Sequence, residues 1–182
     1  MIFDICIMII KTLENIRSEL LGNITTKRNF PKTTIFKFDD LYSEIVTQIK
    51  TVEISSECVL FDSVKAVNEN KEYADISYWS EKYKECEIRP YWFFAQNGQG
   101  DLWLFDADNK VYFYNHDLGE FGTDNFTNLN IDFSKWLQFA YLNKDFDKLL
   151  VEDKVDEIAK DEYKNELSEL SGMLLENYPF EI

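Results

Sequence analysis

The stretch Tyr91-Trp-Phe-Phe-Ala-Gln-Asn-Gly-Gln-Gly-Asp-Leu-Trp-Leu-Phe105 decides how this 182-residue chain folds. Two aromatic, strand-like runs, 91–95 and 102–105, flank a polar turn that opens with Asn97-Gly98. Asn-Gly signals a tight hairpin, because both central positions of the tightest turns need positive φ. A third run, Val111-Tyr-Phe-Tyr114, follows Asp106-Ala-Asp-Asn-Lys110, so the three runs read as an antiparallel meander. Along the second run Leu102 and Leu104 point one way, and Trp103 and Phe105 the other. Both faces are thus apolar. The sheet must be covered on both sides or present an aromatic face to a partner, and coverage by helices is the commoner arrangement.

Working outward, Phe133, Trp136, Leu137, Ala140 and Tyr141 recur at helical spacing behind Asp132, which makes Phe133, Trp136 and Leu137 core candidates. Upstream, Ile9, Leu13, Ile16 and Leu20 mark one helical face ending near Gly22. Residues 23–37, with Pro31, read as a connection. A second helix starts after Asp39-Asp40, with Leu41, Ile45 and Ile49 on one side. Cys58–Phe61 suits a strand, and Asp62 or Ser63 caps a short helix through Ala66 and Val67. Residues 115–130 read as a polar loop. From Phe146 to Tyr178 the pattern is helical, with Ala159, Tyr163, Leu167, Leu170 and Leu174 in one stripe and Pro179 as the stop. The fold class is α+β: one domain over 1–182, a mostly antiparallel sheet flanked by helices.

With 45% hydrophobic and 16% aromatic residues, the chain has ample material for a core. Its 34 acidic and 19 basic side chains give a formal net charge of −15. The excess begins after residue 50, and from Asp145 onward there are 12 acidic against 4 basic residues. Phosphate backbones and anionic lipid repel such a chain, which disfavours nucleic acid and membrane surfaces as direct partners. Acidity alone commonly means only solubility. The apolar start, 1–10, lacks a basic n-region and a small-residue cleavage site and is too short to span a bilayer, so a buried strand or first helical turns are expected there. Cys6, Cys58 and Cys86 are odd in number and form no C-x-x-C pair, which suits a reducing cytoplasm.

Catalytic signatures are missing. The one histidine, His116, lies in Tyr114-Asn-His-Asp117 with no nucleophile elbow in the chain, so a structural or surface role is expected. Asp106-x-Asp108 is the nearest approach to a calcium loop, but Lys110 and Val111 stand where oxygen ligands and glycine belong. Gln96-Asn-Gly-Gln-Gly100 has no third glycine, no following helix and no Gly-Lys-Ser/Thr. A carboxylate-based hydrolase remains a remote alternative without a pair singled out by spacing. No cofactor or metal is implied.

The central block resembles the SUKH superfamily, which includes bacterial immunity proteins and fungal cell-wall-synthesis regulators. The resemblance covers about 57–142 and rests on the order and spacing of Gly98, Gly100, Asp101, Asp106, Val111, Tyr112, His116, Asp117, Phe133, Trp136 and Leu137. It does not extend to 1–50, where the Leu-Pro pair of many members is missing, nor to the acidic tail. The resemblance implies a non-catalytic domain that neutralises a toxin, often a nuclease, by stoichiometric binding, as in toxin–antitoxin and polymorphic toxin systems. A regulatory or scaffold domain of the same type is the alternative. A nuclease presents a basic cleft, so an acidic inhibitor is steered to it. The candidate contacts are Asp106, Asp108, Asp117, Glu120 and Asp124, with Trp103 and Tyr112 as aromatic anchors if exposed and the C-terminal helix as a rival surface. Gly98 and Gly100 are read as backbone requirements of the hairpin, and the protein as a monomer, with a homo-oligomer left open.

Overall fold

The structure, a computed structural model, describes residues 8–22, 27–118, 120–180 and 182. Its centre is a six-stranded antiparallel sheet in plain sequence order: β1 (Val52–Ser55), β2 (Cys58–Leu60), β3 (Trp92–Gln96), β4 (Leu102–Phe105), β5 (Val111–Tyr114) and β6 (Phe126–Asn128). The meander read from the aromatic runs is β3 to β5, with Phe93 opposite Leu104 and Trp103 opposite Phe113. β6 lies inside the segment read as a polar loop. Phe126-Thr-Asn128 carries little strand signal of its own and is held by pairing with Tyr114, Phe113 and Tyr112.

Seven α-helices stand among the described residues: α1 (Leu13–Leu21), α2 (Asp40–Val46), α3 (Ser63–Tyr73), α4 (Glu85–Ile88), α5 (Phe133–Val151), α6 (Glu157–Leu170) and α7 (Gly172–Glu176). Part of the acidity is structural. Asp39, Asp62, Asp132 and Asp156 each cap a helix, their side chains accepting amide hydrogens of the first turn. At the other end of the chain, Ile9 does not share the α1 face: it precedes the helix and is 65% exposed. Of the expected element over 1–10, residues 1–7 lie outside the described ones, and 8–10 form neither helix nor strand.

The alternation along β4 sorts the core as expected. Trp103 and Phe105 join Phe94 under α5, where Phe94 stacks on Phe105 at 4.0 Å between centroids and Trp136 meets Phe94 edge-on at 4.9 Å. Phe133, Trp136 and Leu137 are buried there. Leu102 and Leu104 join Phe93, Tyr114, Trp79, Tyr83 and Ile88 on the opposite face. That face is not closed by a layer of helices. Its cover is the end of α3, whose Tyr73 meets Phe93 at 4.6 Å, the largely irregular chain over 74–91 that includes α4, and the link after β5, whose Phe121 meets Tyr114 at 4.8 Å.

The acidic tail is broken where the sequence pattern reads as one helix. Phe146 belongs to α5, Asp153 turns the chain at φ 54°, and Ser171 separates α6 from α7. Tyr163, Leu167, Leu170 and Leu174 are buried as the stripe predicts, while Ala159 is half-buried. Tyr163 donates to the Asn143 side chain in α5 and shares a 2.7 Å hydrogen bond with Tyr178, so a buried polar network pins the tail to the domain.

Candidate functional site

The register of the sheet sorts its loops into two ends. Val59, Gln96, Leu102, Tyr114 and Phe126 pair in one row, so the β1–β2 turn, the β3–β4 turn and the link after β5 emerge together. Trp92, Phe105 and Val111 form the row at the opposite end, where the β4–β5 turn lies. The two rows are roughly 10 Å apart, three residue steps at about 3.3 Å each. The five candidate acids therefore do not make one surface. Asp117, Glu120 and Asp124 lie at the first end, and Asp106 and Asp108 at the second.

At the first end a chain of polar contacts crosses the sheet. Asn97, 1% exposed, accepts the amides of Gln99, Gly100 and Asp101 on its Oδ1 at 3.0, 3.0 and 2.9 Å. Its Nδ2 donates to Asp101 at 2.8 Å and to Glu57 at 3.0 Å. The connection is thus a five-residue loop closed by the Asn97 amide on the Asp101 carbonyl, not the two-residue turn read from Asn-Gly. This corrects the role of Gly98. It is exposed, its φ is not positive, and a Cβ there would meet nothing nearer than the Ser56 carbonyl at 3.8 Å. Gly100, at φ 103°, does carry the conformational requirement.

Asp101, 4% exposed, also accepts the His116 amide at 3.0 Å and lies 2.7 Å from His116 Nδ1. A carboxylate only accepts, so Nδ1 carries the proton. That bond raises the pKa of His116 above its ordinary 6.5, with Asp117, 3.3 Å from Nε2, acting in the same direction. On the far side, the Ser56 amide and hydroxyl donate to Asp147 of α5 at 2.8 and 3.2 Å. Glu57 lies between these groups, half-buried. Burial pushes its carboxyl pKa up, and Asp147 and Asp101 push it further, against the Asn97 hydrogen bond. No ion pair neutralises Glu57 or Asp147 among the described residues. The reading from sequence missed Glu57, because nothing in Ser55-Ser-Glu-Cys58 marks its neighbours across the sheet.

Other candidates are corrected or qualified. Trp103 is fully buried, its Nε1 donating to the Glu57 carbonyl at 2.8 Å, so it is a core residue and no anchor. Tyr112 is half-buried against Tyr91 and accepts from Asn128 at 3.1 Å. Asp124 is exposed but paired with Lys82 at 2.6 Å, which holds its carboxyl below the usual range. Asp106 shapes its turn, its Oδ1 accepting the Asp108 and Lys110 amides at 2.9 Å each. Asp117 and Glu120 stay exposed. Among the described residues no group of three or more metal-ligating side chains comes together, and no helix is long and apolar enough to cross a membrane. Cys58 is buried and Cys86 exposed, both free, while Cys6 lies outside the described residues.

Comparison with known proteins finds no matching family model, no matching curated protein and no matching solved structure.

Proposed function

We propose that this chain is a non-catalytic SUKH-type immunity protein of the cytoplasm, acting by stoichiometric binding to a basic toxin domain. One observation carries the reading: Glu57, Asp147, Asp101 and Asp117 are gathered across one end of the sheet, where His116 lies against Asp101 and Asp117 and, among the described residues, no ion pair reaches Glu57 or Asp147. Crowding like charges costs stability, and a lysine or arginine from a partner removes that cost on binding. The α+β architecture and the order of motif residues along β3–β5 and α5 accord with the resemblance.

The test begins with the product of the open reading frame beside this chain's gene. If it carries a toxin tail, the two proteins should form a one-to-one complex. Its association rate should fall steeply between about 50 and 500 mM salt, as screening shortens the reach of the acidic field. A neighbour that neither binds nor poisons cells removes the immunity reading, and a salt-insensitive association rate removes the electrostatic one.

A further inference from the structure

At the opposite end of the sheet a cavity of about 520 Å³ opens between residues 33–37, α3 and the chain entering β3. Its walls are Phe36, Tyr73, Ile88, Tyr91 and Trp92, and Ile35 stands 86% exposed at its mouth. Its charged lining has one sign. Lys37, Lys71 and Arg89 are all exposed, and no carboxylate lines it, in a chain of net charge −15. Glu85 answers Arg89 at 2.5 Å, whereas Lys37 and Lys71 make no ion pair among the described residues. Two acids flank the lining residue Ala107: Asp106, whose Oδ1 is engaged by backbone amides, and Asp108, which is exposed.

Some polar atoms of the walls are engaged, while the hydroxyls of Thr33, Thr34, Tyr73 and Tyr91 have no hydrogen-bond partner among the described residues. Asn70 donates to the Ala66 and Phe93 carbonyls and accepts the Phe93 amide, and Trp92 Nε1 donates to the Tyr42 hydroxyl. The lining as a whole is predominantly apolar, which favours an apolar ligand body over a polar nucleobase ring. The size lies within the roughly 300–1,000 Å³ of small-ligand sites. We propose that this cavity binds a small organic carboxylate, its apolar body among the aromatic walls and its charge at Lys37 and Lys71. The site is separate from the acidic end and does not depend on the immunity reading.

Calorimetric titration of the full chain with naphthoate, naphthamide and adenosine monophosphate tests this. Naphthoate should bind one-to-one and about tenfold more tightly than the isosteric neutral amide, with the nucleotide weaker than both. Lys37→Met with Lys71→Met, both exposed, should remove the tenfold preference while leaving naphthamide affinity unchanged. Ile35→Asp at the mouth should weaken naphthoate in the native-charge background. Equal affinity for acid and amide overturns the proposal, as does tighter binding of the nucleotide or a double variant that binds naphthoate undiminished. Absence of naphthoate binding overturns it as well.

Discussion

Asp101 holds His116 twice, through the backbone amide at 3.0 Å and through Nδ1 at 2.7 Å, and so ties the β3–β4 loop to the link after β5. Because the bond favours the imidazolium, the folded pKa of His116 lies above the unfolded value near 6.5. The stabilisation is therefore fully present below that value and is lost as pH rises through the raised folded one. An NMR titration of His116 should give a midpoint above 6.5 in the native chain and a lower one in Asp101→Asn. A native midpoint at or below the ordinary value would contradict the contact.

The two loop glycines should respond differently. Gly100→Ala places a Cβ on a residue at φ 103° and should cost about 1–2 kcal/mol. Gly98→Ala should leave stability within about 0.5 kcal/mol, since the site is exposed and φ is ordinary. Chemical denaturation of both variants checks this, and equal losses would restore the tight turn that Asn-Gly suggests.

This loop shows where sequence reading reaches and where it stops. The strands on either side were legible because their aromatic runs are long and their alternation splits cleanly into two buried faces. The helix from Phe133 was legible because its spacing is regular and Asp132 caps it. The loop itself was not, because Asn97 turns inward and its side chain replaces the backbone pattern that the dipeptide predicts. β6 escaped for a related reason, as its pairing comes from β5. The acidic end depends on residues as far apart as Glu57 and Asp147, brought together only by sheet order and α5 packing.

Trp136 is fully buried, and its Nε1 has no hydrogen-bond partner among the described residues. Trp136→Ala should cost about 3–5 kcal/mol by leaving a cavity under β3 and β4. Trp136→Phe removes the unpaired donor along with some volume and should cost clearly less. Urea unfolding of the pair measures the difference, and similar losses would mean that the indole nitrogen is satisfied in solution.

The tail should detach when its polar network is broken. Asn143→Leu removes one of the two partners of the buried Tyr163 hydroxyl and leaves it only Tyr178, a loss of about 1 kcal/mol. Limited proteolysis should then cut between α5 and α6 sooner than in the native chain. Unchanged cleavage would show that the apolar stripe of α6 alone secures the tail.

Glu57 separates a structural from a binding role for the acidic end. Its folded carboxyl pKa is raised, so the folded state disfavours the charged form. The cost is absent below the unfolded pKa near 4.5 and fully present above the raised folded value. Glu57→Gln keeps an acceptor for Asn97 while removing the charge. It should stabilise the chain at neutral pH by on the order of 0.5 kcal/mol, a solvent-screened figure, and give no gain in acid. The same substitution, combined with Asp117→Asn, should slow association with a basic partner, while Asp106→Asn with Asp108→Asn at the far end should not. Thermal melts at both pH values and stopped-flow association supply the two readouts. A variant that is stabler at neutral pH yet associates at the native rate would make the crowding of charge a tolerated accident of the fold. Loss of stability at neutral pH would instead mean that Glu57 has a cation against it in solution.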